Sequence, residues 1–313
     1  MTSIRLGLVG VGKIARDQHL PSIAATAGIE LVATASRSAG ADGVASYRSL
    51  GEMLAGTELD AVALCTPPQV RHGMALEALE AGKHVLLEKP PGATLSEIDD
   101  LVAASGKTGV TLFATWHSRF SAATEPARRW LEGRTVERAE IVWKEDVRRW
   151  HPGQDWIWEP GGLGVFDPGI NALSIATRIL PEPFFLTGGE LDTPENRQAP
   201  IAARLAFTDR NGLDLTADFD WRQKGPQTWD ITAETSDGGR LHLSEGGKRL
   251  VIDGETVVTS EDAEYRDIYE HFVRLVREHR SDVDVSPLRH VADAFMLGRR
   301  CRTEPFHDDE NAA

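Results

Sequence analysis

Residues 4–23, IRLGLVGVGKIARDQHLPSI, open with a short apolar run, turn on glycines and continue with helix-compatible residues. The order is strand, tight turn, helix. Gly10, Gly12 and Ala15 fit the pattern G-x-G-x-x-G/A, in which the first glycine makes the turn, the second lets a pyrophosphate approach the backbone and the third position permits close helix packing. Lys13 and Ile14 lie inside that turn. Without a ligand the same letters describe a plain glycine turn, so the context decides. IELVATAS (29–36) and LDAVALCTPP (59–68) read as two further strands with helix-compatible segments between them. Strands alternating with helices imply a parallel, doubly wound α/β sheet.

The chain has 313 residues, long for one hydrophobic core, so two domains are expected, 1–120 and 121–313. Its formal charge of −14 repels phosphate backbones and anionic lipid, which argues against nucleic acid and membrane partners. Cys65 and Cys301 are too few for a disulfide framework or a four-ligand zinc site, and no metal is expected. No apolar run reaches the roughly 18 residues of a membrane span, nor is there a cleavable leader pattern, so a cytoplasmic location is expected.

Where an NAD enzyme usually places Asp or Glu for the ribose 2′-hydroxyl, the second strand ends in Ser36-Arg37. A hydroxyl and a guanidinium suit a 2′-phosphate, so NADP is preferred and NAD is the second choice. Further on, AGKHVLLEKP (81–90) reads as a buried strand presenting Glu88, Lys89 and Pro90 at its carboxyl end, the edge where open α/β sheets bind ligands. This segment resembles the signature of the Gfo/Idh/MocA oxidoreductases. The likeness runs along nearly the whole chain, and through LFATWHSRF (112–120), the run from Trp143 to Ile175 and DVDVSPLRHVADAF (282–295) it is nearest to members that oxidise aldopyranoses at C1. The resemblance implies a Rossmann domain whose cofactor contacts include Thr66, Pro67, His72, Glu88 and Lys89.

Beyond residue 120 the pattern changes. LDLTADFDWR (213–222) alternates strictly, with Leu213, Leu215, Ala217, Phe219 and Trp221 on one face, as an antiparallel strand with one covered face does. SDGG (236–239) and EGGK (245–248) are hairpin signals, so the second domain is α+β with a large, mostly antiparallel open sheet that offers a homodimer surface. A C-terminal helix at about 287–300 is expected to pack back on the Rossmann domain, and the tail HDDENAA (307–313) reads as disordered.

In VFDPGIN (165–171), Asp167 followed by Pro168 is what a helix start looks like, with aspartate as the cap and proline in the first turn. Asp167 and Asn171 are four apart and lean toward one side of that turn. Four tryptophans, 143, 150, 156 and 158, precede them; indole faces cover the apolar faces of pyranoses, although each alone is more often core. By resemblance, His117, Glu145, Trp150 and Trp229 contact the sugar, beside Lys89, Asp167 and Asn171.

The resemblance further implies an NAD(P)-dependent aldose 1-dehydrogenase acting on L-arabinopyranose, with D-galactose as the alternative main substrate; an inert sugar or nucleotide sensor of the same fold is the reading from another class. The broader family ends its D-x-G-x-H pattern in a histidine, whereas this chain has Asn171, and an amide cannot exchange a proton that way. The proton chemistry therefore falls to Asp167 or Lys89.

Overall fold

The computed structural model describes residues 2–38, 40–261 and 263–308; the expected unstructured tail falls mostly outside them, at 309–313. The chain forms two compact units, one of residues 1–117 with 263–285, the other of 118–262 with 286–313.

The first unit carries strands β1 (Ile4–Val9), β2 (Ile29–Ala35), β3 (Ala45–Tyr47), β4 (Ala61–Leu64), β5 (His84–Leu87) and β6 (Leu112–Ala114). They form a six-stranded, all-parallel sheet in the order β3-β2-β1-β4-β5-β6, the doubly wound arrangement expected of alternating strands and helices. Helices α1 (Leu20–Ala25), α2 (Leu50–Gly56), α3 (Pro68–Glu80) and α4 (Leu95–Thr108) connect them. The strand interiors are apolar on both sides; Val62, Leu64, Val85, Leu87 and Leu112 are fully buried with Ile98 and Leu101 of α4. Thr94 and Glu97 close a capping box that starts α4. At the β1 turn, Gly10 has a φ of +89°, and a Cβ there would lie 3.0 Å from the backbone of Cys65 and Thr66. Only glycine fits so near the end of β4.

The second unit carries β7 (Val136–Lys144), β8 (Phe184–Pro194), β9 (Ala202–Asp209), β10 (Asp214–Asp220), β11 (Thr228–Thr235), β12 (Arg240–Ser244), β13 (Arg249–Ile252), β14 (Glu255–Thr259) and β15 (Arg299–Thr303). They make a nine-stranded sheet in the order β14-β13-β12-β11-β7-β10-β9-β8-β15. Both hairpin signals turn where expected, between β11 and β12 and between β12 and β13. Leu213, Leu215, Ala217, Phe219 and Trp221 are all buried, as their alternation requires. One detail differs: β10 is antiparallel to β9 but parallel to β7, and β15 is parallel to β8, so the sheet is mixed. Helices α5 (Thr124–Leu131) and α7 (Phe166–Ile179) pack on each other, with the Phe166 ring edge-on to Phe219.

The C-terminal helices depart from expectation. Helix α8 (Glu264–Arg277) belongs to the first unit, where it contacts α1, whereas α9 (Ser286–Leu297) packs on α7 and β8 of the second. Each helix follows its own apolar stripe: Tyr265, Ile268, Tyr269, Phe272 and Val273 in α8, and Leu288, Val291 and Ala294 in α9. Among the described residues no helix is long and apolar enough to cross a membrane.

Candidate active site

In the first unit the chemistry gathers at the carboxyl ends of β1, β4 and β5. After β1 the chain is helical from 13 to 25, and the turn Ala15–His19 is π-helical. Such a bulge re-aims a side chain, and here His19 is fully buried. Its Nδ1 lies 2.7 Å from the Tyr269 hydroxyl and its Nε2 lies 3.2 Å from Glu88 Oε1. Tyr265 also donates to Glu88 Oε1, at 2.6 Å, and the Lys89 backbone N–H donates to Glu88 Oε2 at 2.5 Å. The Arg71 guanidinium, buried on α3, donates to the carbonyls of Thr66, Glu88 and Pro90. The segment bearing Lys89 is thus held at its own carbonyls and through the Glu88 carboxylate, and the Lys89-Pro90 peptide is cis.

Burial alone would raise the Glu88 carboxyl, but the hydrogen bond and charge of His19, the charge of His117 and the Tyr265 hydroxyl bring it down to about 2. Burial likewise pulls His19 down, and Cys65, Tyr269 and Glu88 together outweigh it, so His19 stands well above its usual value. The pair is therefore ionised and buried. Glu88 contributes stability above its unfolded value of 4.5, lost as pH falls toward 2; His19 contributes below its unfolded 6.5, lost as pH rises through its raised value. We expect the melting temperature difference between the wild-type chain and Glu88→Gln to be largest between pH 4.5 and 6.5 and to shrink on both sides. A pH-independent difference by scanning calorimetry would contradict the ion pair.

The residues expected at the cofactor divide. A Cβ on Gly12 would meet nothing within 4 Å, so the turn leaves an open cradle of the kind a pyrophosphate fills. Lys13, paired with Asp17, and Ile14 are exposed beside it. At the end of β2 the Ser36 N–H donates to Tyr47, and Arg37 is exposed. Thr66 and Pro67 lead into α3, with Pro67 as its N-cap residue. Glu88 and His72 are otherwise engaged: Glu88 binds His19, Tyr265 and the Lys89 N–H, and His72 Nε2 lies 2.9 Å from Asp100 Oδ2 of α4. His117, expected at the sugar, lies just after β6; its Nδ1 is 2.6 Å from Glu264 Oε2 and its ring stacks on Tyr265. Burial opposes a charge on His117, but Glu264 raises its pKa.

In the second unit the Asp167 reading changes. Helix α7 begins two residues earlier than the Asp-Pro signature suggests, with Val165 as N-cap and no side-chain cap. Gly164 sets this start: its φ is +54°, and a Cβ would lie 2.3 Å from the Pro200 carbonyl, to which the Val165 N–H donates. Asp167 is therefore inside the first turn, 3% exposed, and does not cap. Its Oδ2 lies 3.1 Å from Nε2 of His151, a histidine that the sequence reading passed over. Asn171, half-buried, follows one turn later on α7.

Glu145 sits just past the end of β7, and the indoles of Trp221 and Trp229 donate to its two oxygens at 3.2 and 3.0 Å. Burial raises the Glu145 pKa, against those indole bonds and the His151 charge, with Asp167 adding to the rise. Trp221, expected only on the covered face of its strand, is fully buried and packs edge-on to the His151 ring at 5.3 Å. Of the tryptophans, 143 and 158 are core, whereas Trp150 and Trp229 are half-buried with ring centroids 5.9 Å apart. Arg149 lies over the Trp150 ring at 4.8 Å, and Trp229 also packs on Trp143.

The family model for the oxidoreductase family with an NAD-binding Rossmann fold, GFO_IDH_MocA, matches residues 4–115. A galactose 1-dehydrogenase from Pseudomonas fluorescens is 47% identical over 316 residues, 98% of this chain and 100% of that protein. The crystal structure of a D-galactose-1-dehydrogenase protein from Rhizobium etli superposes with a TM-score of 0.94 at 58% identity, covering 98% and 99% of the two chains. A 3-ketoreductase from Actinomadura kijaniata shares the fold, with a TM-score of 0.84 at 20% identity over 96% of this chain and all of its own.

Proposed function

This chain belongs to the Gfo/Idh/MocA oxidoreductases, and on that footing we propose that it is a D-galactose 1-dehydrogenase that passes the C1 hydride to NADP, with NAD as the second acceptor. The observation that carries the reading is whole-chain similarity to two proteins named as galactose 1-dehydrogenases. L-Arabinose, the substrate expected first from the sequence, gives way on that ground. It lacks only the hydroxymethyl group of D-galactose, and a difference of that size is worth about 1–3 kcal/mol, so L-arabinose is expected to turn over as well.

The bound nicotinamide supplies the hydride acceptor. In this reading Asp167 takes the proton of the C1 hydroxyl, and Lys89 donates to the C1 oxygen or the nicotinamide ribose. Asn171 donates a hydrogen bond to the sugar. Glu145, fixed by two indoles, accepts from a hydroxyl, with His117 a further polar contact and Trp150 and Trp229 covering the apolar face. Following reduced-cofactor absorbance with D-galactose, L-arabinose, D-xylose and D-glucose tests the proposal. Turnover with D-galactose at the highest kcat/KM supports it, and none with any aldose would favour an inert sensor.

Cofactor choice rests on the Ser36-Arg37 tip of β2. We expect Ser36→Asp combined with Arg37→Ala to lower kcat/KM for NADP at least ~10-fold relative to NAD, because a carboxylate repels the 2′-phosphate and the paired cation is gone. An unchanged ratio would remove these residues from cofactor selection.

A further inference from the structure

The residue one turn after Asp167 on α7 is an amide, Asn171, which cannot exchange a proton, yet Asp167 is not left without an imidazole. His151, in the short turn after helix α6 (Val147–Trp150), reaches it from a different place in the chain. The hydrogen-bond network fixes how that imidazole is used. Trp156 Nε1–H donates to Gln154 Oε1 at 3.2 Å, which makes that oxygen an acceptor, and His151 Nδ1 faces the same oxygen at 3.3 Å. Nδ1 therefore carries a hydrogen in either form of the ring, and Nε2 faces Asp167 Oδ2, donating to it when the ring is protonated and presenting a lone pair once that proton is lost. A lone pair and a carboxylate oxygen 3.1 Å apart repel until one proton lies between them. Glu145, just past β7, and Trp221, just past β10, also face the ring, and Glu145 adds negative charge that favours an arriving proton.

We propose that His151 is the proton partner of Asp167 in aldose oxidation. The inference rests on the function proposed above. The C1–H bond breaks and its electron pair goes with hydrogen to the oxidised nicotinamide; the C1 O–H bond breaks, its electrons form the lactone carbonyl, and its proton binds Asp167. That proton then passes from Asp167 Oδ2 to His151 Nε2, leaving imidazolium beside carboxylate. In the form that has shed its shared proton the contact repels, and it attracts as the C1 proton arrives, so that form favours the transition state over the ground state. His151 acts through Asp167 and is a positioning residue, 19% exposed at its side chain, from which the proton can reach solvent.

His151→Gln separates this role from simple orientation, since the amide can donate to Asp167 as the protonated ring does but does not titrate. We expect kcat with D-galactose to fall roughly 10- to 100-fold. The acid limb of the kcat/KM profile should move to lower pH by about one unit or more, because a lone carboxylate replaces a carboxylate–imidazole pair. A limb that stays in place, whatever the rate, overturns the proposal. Independently of activity, NMR titration of the His151 imidazole is expected to give a lower midpoint in Asp167→Asn than in the wild-type chain. An unchanged midpoint also overturns it. If the wild-type chain oxidises no aldose, the functional reading falls, and the imidazole titration alone decides whether the pair shares a proton.

Discussion

Asp167→Ala is expected to lower kcat for D-galactose by two orders of magnitude or more, the scale on which removal of an acid–base group acts. The side chain is 3% exposed, lies in the first turn of α7 and is held 3.1 Å from His151 Nε2. No other carboxylate of that helix is available to take over, since its remaining first-turn neighbours are Phe166, Pro168 and Gly169. Asp167→Asn preserves shape and should match the alanine variant in rate, which separates lost proton transfer from a collapsed pocket. Near-normal turnover in a variant with a wild-type circular dichroism spectrum would remove Asp167 as the base.

Lys89→Ala is expected to have an effect of similar size, at least ~100-fold on kcat, by removing the cation that stabilises negative charge developing on the C1 oxygen. The lysine backbone is fixed by Glu88 Oε2 and by Arg71, which holds the flanking carbonyls, so shortening the side chain leaves its support in place. The backbone of this segment should then keep its course. A rise in KM with kcat intact would instead mean that Lys89 only binds ground-state substrate or cofactor.

The contrast between local and distant signals explains what the sequence disclosed. Gly10, Gly12 and Ala15 lie within one turn, and their order dictates strand, turn and helix; the alternation from Leu213 to Trp221 dictates a half-covered strand in the same way. His19 with Tyr269 is a different case: 250 residues separate them, and nothing in EYRDIYEHF shows that α8 returns to the first unit. The internal partners of Glu88 were hidden for that reason, because the tyrosine and histidine that bind its carboxylate come from remote segments. At Asp167 the Asp-Pro pair marks a helix start nearby, but the glycine turn before it moves the boundary by two residues and turns an expected cap into a buried carboxylate. The substitution at Asn171 could be read as a missing proton acceptor. Which imidazole replaces it could not, because His151 reaches Asp167 only once its turn has folded against the start of α7.

The most direct measurement of the central claim is the fate of the C1 hydrogen. Incubation with D-galactose deuterated at C1 and oxidised NADP should place deuterium at C4 of the reduced nicotinamide, with formation of galactonolactone and little or no label in solvent. Failure to transfer deuterium from D-galactose, or its transfer only from sugars labelled at another carbon, would contradict the assignment.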